Sequence, residues 1–291
     1  MEQKKTRTAY SGVPGCFAEE AAAGYFAALS PTGKWSDICE MVPCVSFRGA
    51  MQAVADGKAD CAVLPVENSS TGSVLSNYDL LNEYGFFIIG EYTLGVSQCL
   101  MAPEGVALPD ITEVFSHEQG LAQSRDFLAR YPWKQTAVYN TAYAAQLVAE
   151  SGRKDAAAIG SRRAAEIYGL HILAPRTNFK DLNQTRFVIL APQVRHSPEN
   201  NKVSLMVTLP HVPGSLCRLL SVFSDAGINL LKIESRPVPQ KNWEYLFFID
   251  FSADTIDKRI REILQEVADL SQTLRVLGYY RKFEDKGDEN G

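Results

Sequence analysis

Long apolar runs, metal-binding spacings and strong charge of either sign are all missing from these 291 residues. No stretch reaches the roughly 18 apolar residues that a membrane span needs, and the start, MEQKKTRTAY, has no apolar targeting core. A cytoplasmic protein is expected. The six cysteines stand at 16, 39, 44, 61, 99 and 217, with no CxxC pair and no nearby histidine. That pattern argues against a metal site or a disulfide framework, and neither a metal nor a cofactor is expected. Cys61 and Cys99 lie inside apolar runs and read as buried free thiols of a reducing compartment. The net charge is only −5, with signs interspersed, so general affinity for nucleic acid or an anionic membrane is not expected. A small acidic ligand would need a local cluster of donors.

What is present is alternation. Up to about residue 193, strand-like runs (7–12, 60–68, 86–94, 97–102, 135–140, 155–160, 170–174) alternate with helical ones (16–30, 47–57, 72–85, 118–131, 141–152, 161–169). This order means βαβ units on largely parallel sheets. No Rossmann or P-loop fingerprint is present, and two α/β lobes with a cleft would let the scattered polar motifs converge. The expected boundaries are a two-lobed domain over 1–193, a linker over 194–201, a second domain over 202–285 and a polar tail over 286–291. The second domain reads as strand, helix, strand, strand, helix, strand, with Asp254 capping a helix whose Ile256, Ile260, Ile263, Leu264 and Val267 share a face. That is a ferredoxin-like βαββαβ unit.

Four stretches could carry chemistry. SGVPGCFAEEA (11–21) puts two glycines between a strand and a helix and reads either as an anion-facing loop or as a plain turn. In LPVENSSTGSV (64–74), Glu67, Asn68, Ser69, Ser70 and Thr71 follow a buried strand, more polar residues than one helix cap requires. In VFSHEQGLAQ (114–123), Ser116 and Gln119 share a strand-to-helix corner and read as donors to a ligand, with His117 a structural hydrogen-bonding group. In DLNQTRFVIL (181–190), alternation puts Thr185 and Phe187 on one face and Arg186 on the other. Arg186 therefore either braces the site from behind or reaches a substrate carboxylate.

Together PVENS (65–69), SHEQGLAQ (116–123), NTAYAAQLVAE (140–150) and TRF (185–187), followed by PGSL, GINL and ESRP, resemble the prephenate dehydratases, from about residue 8 to about residue 280. The resemblance implies a bilobal α/β catalytic region similar in fold to periplasmic solute-binding proteins, followed by an ACT regulatory domain. It also implies the monofunctional form, without a chorismate mutase segment. The family converts prephenate to phenylpyruvate with loss of carbon dioxide and water, on the route to phenylalanine. By the family's motifs, Thr185 assists the leaving hydroxyl, and Asn68, Ser69, Ser116, Gln119 and Thr141 grip the substrate. Arg186 and Phe187 complete that binding set, with Glu67 and His117 in support. Cys16 and Ala18 replace polar positions of the family's first loop, and Glu118 stands where a proline is common.

In the tail, Gly214, Ser215, Leu216, Asn229, Glu234, Ser235, Arg236 and Pro237 match the positions that bind phenylalanine as an allosteric inhibitor in the family, although Ser215 and Cys217 depart from the usual G-A-L-V. A homodimer or homotetramer through the ACT domain is implied. Two other readings stay open: arogenate dehydratase, acting on the amino analogue of prephenate, and a non-catalytic small-molecule sensor with an ACT domain.

Overall fold

The structure is a computed structural model, and it describes residues 4–178, 183–237, 245–253 and 259–283. Asp181, Leu182, Asp254, Ile256 and the polar tail fall outside the described residues. The chain divides into two compact units, Met1–Tyr84 with Tyr92–Ile189 and Gly85–Glu91 with Leu190–Gly291.

The first unit holds two α/β lobes. In chain order the first lobe begins with β1 (Thr6–Ser11), α1 (Phe17–Leu29), β2 (Cys39–Cys44), α2 (Phe47–Ala55), β3 (Cys61–Asn68), β4 (Gly72–Ser73), α3 (Leu75–Tyr84) and β5 (Phe87–Gly95), whose residues 87–91 fall in the second unit. The second lobe follows as β6 (Cys99–Ala102), β7 (Glu113–Ser116), α4 (Glu118–Gln123), α5 (Arg125–Leu128), β8 (Lys134–Ala137), α6 (Thr141–Ser151), β9 (Ala156–Gly160), α7 (Arg162–Tyr168) and β10 (His171–Ala174). Then β11 (Gln184–Ala191) returns to the first sheet. The sheet orders are β2-β1-β3-β11-β5, with β4 beside β3, and β10-β6-β9-β7-β8. The β1 pairings with β2 and β3 are parallel, as are those of β7 with β8 and β9. Strand β9, AAAIG, is buried throughout, as expected of a strand covered on both faces.

Side-chain oxygens start three of these helices. Ser46 accepts from the Gly49 amide, Asn140 from Ala142 and Tyr143, and Ser161 from Ala164. Each such cap satisfies an orphan N–H and contributes about 1 kcal/mol.

Two features depart from the sequence reading. The helix expected over 118–131 is two short ones that break at Ser124, whose hydroxyl is buried and bonded to Thr177 at 2.8 Å. Strand β2, CEMVPC, has no clean alternation and carries Pro43, which an edge strand tolerates because one side of it needs no ladder bond.

The second unit contains β12 (Lys202–Thr208), α8 (Ser215–Asp225), β13 (Leu230–Pro237), β14 (Tyr245–Ser252), α9 (Arg259–Leu270) and β15 (Thr273–Tyr280). They form an antiparallel sheet in the order β13-β14-β12-β15, the expected βαββαβ arrangement. Leu219 and Phe223 of α8 and Ile260, Ile263 and Val267 of α9 cover it over a core that includes Val203, Leu205, Ile249 and Phe251. Helix spacing of about 3.6 residues puts the buried positions of each helix on one stripe.

Segment Gly85–Glu91 belongs to this unit for identifiable reasons. A Cβ on Gly278 would lie 2.1 Å from the Ile88 carbonyl oxygen, so only glycine admits that approach. Arg275 donates to the Phe86 carbonyl at 2.8 Å, and Lys202 Nζ lies 2.7 Å from Glu91 and 3.6 Å from Asp250. All three of the last group are at most 5 % exposed. Ser204 links Asp250 (2.5 Å) to the Tyr280 hydroxyl (2.7 Å).

Candidate active site

The chain passes between the two lobes twice, once over 96–98 and once between β10 and β11, where residues 175–178 and 183 are described. The passages are bonded to each other. The Val96 amide donates to the Asn183 carbonyl (2.7 Å) and the Thr177 amide to the Gln98 carbonyl (2.8 Å). The Asn178 side chain spans both ends of the first passage, accepting from the Gln98 amide (3.0 Å) and donating to the Val96 carbonyl (3.2 Å). Backbone with no strand partner is thereby satisfied.

Beside these passages lies a cavity of about 170 Å³, lined by Ser70, Thr71, Gln119, Ala122, Gln123, Asn178 and Asn183. Among the described residues its lining carries no charged side chain. The turn after β3 supplies the first-lobe wall; α4 supplies the other. The lobes touch where Gln119 Nε2 donates to Thr71 Oγ1 at 3.1 Å.

Asn68, only 6 % exposed at the end of β3, is the centre of the polar cluster. Its Oδ1 accepts from the main-chain amides of Ser70 (2.9 Å) and Thr71 (3.1 Å) and from the Thr71 hydroxyl (3.2 Å). Main-chain amides only donate, so they settle which end of the carboxamide is oxygen. Nδ2 therefore faces the other way and donates to Asn183 Oδ1 (2.8 Å), Thr185 Oγ1 (2.8 Å) and the Gln184 carbonyl (3.2 Å). Thr185 Oγ1 is thus an acceptor in this cluster. Among the described residues its own proton goes to no acceptor, which leaves one O–H to direct at a ligand.

Face alternation accounts for the neighbours. Thr185 and Phe187 are buried, at 8 % and 2 %, and Phe187 belongs to the apolar wall of the sheet. Arg186 stands on the opposite face, where its guanidinium lies 3.6 Å from Glu67, itself one residue before Asn68. Asn68 and Thr185 share one face of the sheet, Glu67 and Arg186 the other. In this geometry Arg186 braces β3 and β11 from behind.

Ser69 pins the same turn, its amide donating to the Gln184 carbonyl (2.9 Å) and its hydroxyl accepting from the Gln184 amide (3.0 Å). Ser116 is fully buried, and its hydroxyl donates to the Ile159 carbonyl at 2.8 Å, so it joins β7 to β9 and offers a ligand lone pairs, not a proton. A Cβ on Gly120 would fall 2.5 Å from Ser116 Oγ and 3.3 Å from Thr141 Cγ2, which places Ser116, Gly120 and Thr141 side by side. The Thr141 hydroxyl has no partner among the described residues. His117 caps α4 through Nδ1, which accepts from the Gln119 amide at 3.2 Å.

The glycine loop SGVPG is a docking turn. The Gly15 amide donates to Glu19 (2.7 Å), the Gly15 carbonyl accepts from Ser161 (2.7 Å), and the Pro14 carbonyl accepts from Tyr168 (3.0 Å). Gly15 has φ +87°, and a Cβ there would lie 2.8 Å from Ala164 Cα, so the loop requires glycine for two reasons. Its amides face protein groups, Glu19 among them. Burial pushes the Cys16 thiol up to about 12, so it stays protonated. The sequence does not single out Asn183, Gln123 and Asn178, because each sits in a stretch with no periodicity or at a helix break.

In the second unit a cavity of about 390 Å³ is lined by Leu209, Pro210, His211, Val212, Pro213, Ser215, Leu216, Tyr245 and Phe247. Of the residues matched to a phenylalanine site, Ser215 and Leu216 line it, next to Gly214, which starts α8 at φ +82°. Asn229, Glu234, Ser235, Arg236 and Pro237 do not. Ser235 and Pro237 are register partners of Phe247 and Tyr245, so the ESRP strand lies one strand away, at the edge of the sheet. Glu234 lies 3.6 Å from Lys232.

Comparison with known proteins agrees with this arrangement. The family model for prephenate dehydratase matches residues 8–195, and that for the ACT domain residues 203–269. Arogenate dehydratase 2 of Petunia hybrida is 39 % identical over 96 % of this chain and 72 % of its own. The chloroplastic arogenate dehydratase/prephenate dehydratase 2 of Arabidopsis thaliana is 39 % identical over 95 % and 73 %. Among solved structures, prephenate dehydratase from Arthrobacter aurescens in complex with L-Phe superposes with a TM-score of 0.81 at 28 % identity, covering 95 % of this chain and 90 % of that one. GqqA, described as a novel type of quorum quenching acylase, gives 0.83 at 29 % identity, covering 95 % and 98 %. By the motifs, the two-lobed site and these matches, the chain belongs to the prephenate dehydratase family and carries an ACT domain.

Proposed function

We propose that the protein converts prephenate to phenylpyruvate in phenylalanine biosynthesis. The reaction consumes one proton: prephenate dianion and a proton give phenylpyruvate monoanion, carbon dioxide and water. The C–C bond to the ring carboxylate breaks, its electron pair enters the ring, and the C–O bond of the 4-hydroxyl breaks as the ring becomes aromatic. The protein must hold a dianion, help the hydroxyl depart and place the ring carboxylate where water solvates it less. One observation carries the reading. Thr185 Oγ1 accepts from Asn68 at 2.8 Å and keeps its own proton for a ligand, which supports a role as a fixed donor to the departing oxygen. Thr185 acts as a hydrogen-bond donor to that oxygen, the solvent-derived proton completing the water.

Arogenate is the second reading, favoured by relatives of 39–41 % identity that are named arogenate dehydratases. Turnover of prephenate and arogenate by the full chain, compared in one assay, separates the two. Absence of turnover with both would leave the sensor reading. We further propose that phenylalanine inhibits through the second unit. The L-Phe complex of the Arthrobacter relative supports this, as do Ser215 and Leu216 at the mouth of the 390 Å³ cavity. A dimer or tetramer formed through the ACT domain is part of the proposal, supported by edge strand β13, where Ile233 is 45 % exposed. Adding phenylalanine to the turnover assay, and measuring mass in solution with and without it, tests both points. The six free cysteines support placement in a reducing compartment such as the cytoplasm.

A further inference from the structure

Asn183 stands two residues before Thr185, 4 % exposed, and lines the cavity between the lobes. Its orientation follows from its neighbours. The amides of Ser70 and Thr71 fix Asn68 Oδ1, which turns Asn68 Nδ2 toward Asn183, which must then present Oδ1. The Ser70 hydroxyl, 3.4 Å from the same Oδ1, agrees. Asn183 Nδ2 is thereby directed away from Asn68, and among the described residues neither of its N–H groups has an acceptor. Asn183 lines the cavity, so these two donors are open to a ligand held there. Two N–H groups on one planar nitrogen suit the oxygens of a carboxylate. The chain of orientations leaves Asn183 two N–H donors and Thr185 one O–H donor for a ligand.

We infer that Asn183 is a substrate-binding residue that grips a carboxylate of the dianionic substrate, a role that rests on the dehydratase reading. Neutral donors suit such a group because they hold the anion without the strong ion pairing that would stabilise the ring carboxylate against loss of carbon dioxide.

The test uses the full chain, with prephenate as substrate, phenylpyruvate formation corrected for the spontaneous rate, and a thermal melt of each variant. Asn183→Asp keeps an oxygen for Asn68 but replaces the donors with a negative charge. KM should rise about 100-fold, the scale of a charge-assisted hydrogen bond lost and a like charge introduced. The defect should shrink as the pH falls toward the carboxyl range, because protonation removes the charge and restores a donor. Asn183→Ala leaves Asn68 the Gln184 carbonyl at 3.2 Å and Thr185 as acceptors. It should therefore raise KM about tenfold with kcat little changed. A folded Asp variant with wild-type KM at every pH would overturn the inference, as would an Ala variant that lowers kcat and leaves KM alone. If the wild-type chain turns over neither prephenate nor arogenate, the dehydratase reading itself fails, a result recognisable before any variant is compared.

Discussion

Replacing Thr185 with valine separates two effects that the distances allow to be worked independently. Valine matches the shape and removes only the hydroxyl. Asn68 Nδ2 has two protons and three acceptors, Asn183 Oδ1 and Thr185 Oγ1 at 2.8 Å and the Gln184 carbonyl at 3.2 Å. Losing one acceptor still leaves one for each proton, so no buried donor is orphaned. The stability loss should then sit near the low end of a hydrogen-bond deletion, about 1 kcal/mol, or about 2–4 °C in melting temperature for a unit of this size. The rate is another matter. Thr185 is proposed as a directed donor to the departing oxygen, and removing one such donor lowers kcat by about 10²–10³. Phenylpyruvate absorbance in alkali, with the spontaneous decomposition of prephenate subtracted, measures it, and Thr185→Ser should recover most of the rate. A valine variant within about tenfold of wild-type kcat, given that about 1.4 kcal/mol is a factor of ten, would remove Thr185 from the chemistry. A collapse in melting temperature would instead show that Asn68 lacks the spare acceptor its neighbours offer on these distances.

Other variants test the surroundings. Arg186→Met should lower stability by up to about 1 kcal/mol, as expected for an ion pair whose carboxylate partner is 38 % exposed. Its KM should stay near wild type, and a large rise would put the guanidinium on a substrate carboxylate. Burial holds the Glu20 carboxyl above its usual range, and its Oε2 is buried with no hydrogen-bond partner among the described residues. A folded-state pKa above the unfolded one gives stability that is complete below the unfolded value and lost as pH rises through the folded one. Glu20→Gln should therefore raise the melting temperature at neutral pH, with the advantage over wild type vanishing as the pH falls into the carboxyl range; an unchanged melting temperature at neutral pH would contradict the burial. Lys202→Met leaves two carboxylates, Glu91 and Asp250, buried without their shared cation, at a cost of about 3–5 kcal/mol. Calorimetry should find a marked loss of stability, and a neutral result would mean that water reaches the cluster.

Much of the secondary structure is legible in the sequence because local rules agree with the tertiary answer. The alternation of TRFVIL puts Thr185 and Arg186 on opposite faces, and the pairing of Arg186 with Glu67 bears that out. The helices at 141 and 161 begin at Asn and Ser, residues that cap without help from elsewhere. Strand β2 is not legible, because its alternation is blurred and its proline argues against a strand unless the edge position is known. The break at Ser124 is equally hidden, since its bond to Thr177 joins residues 53 positions apart. Ser116 reads as a donor to a ligand; its hydroxyl proton goes to Ile159, on a neighbouring strand that the sequence does not identify.

The sequence by itself determined most of the order of elements and the two faces of strand β11, because periodicity and capping are local properties of the chain. Only the tertiary structure decided which atoms of those residues are donors. The direction of every hydrogen bond in the cluster descends from two main-chain amides at Ser70 and Thr71, through Asn68, to Asn183 and Thr185, which lie 115 and 117 positions away from Asn68. Orientation of a carboxamide depends on what surrounds it, and those surroundings exist only once the lobes have folded.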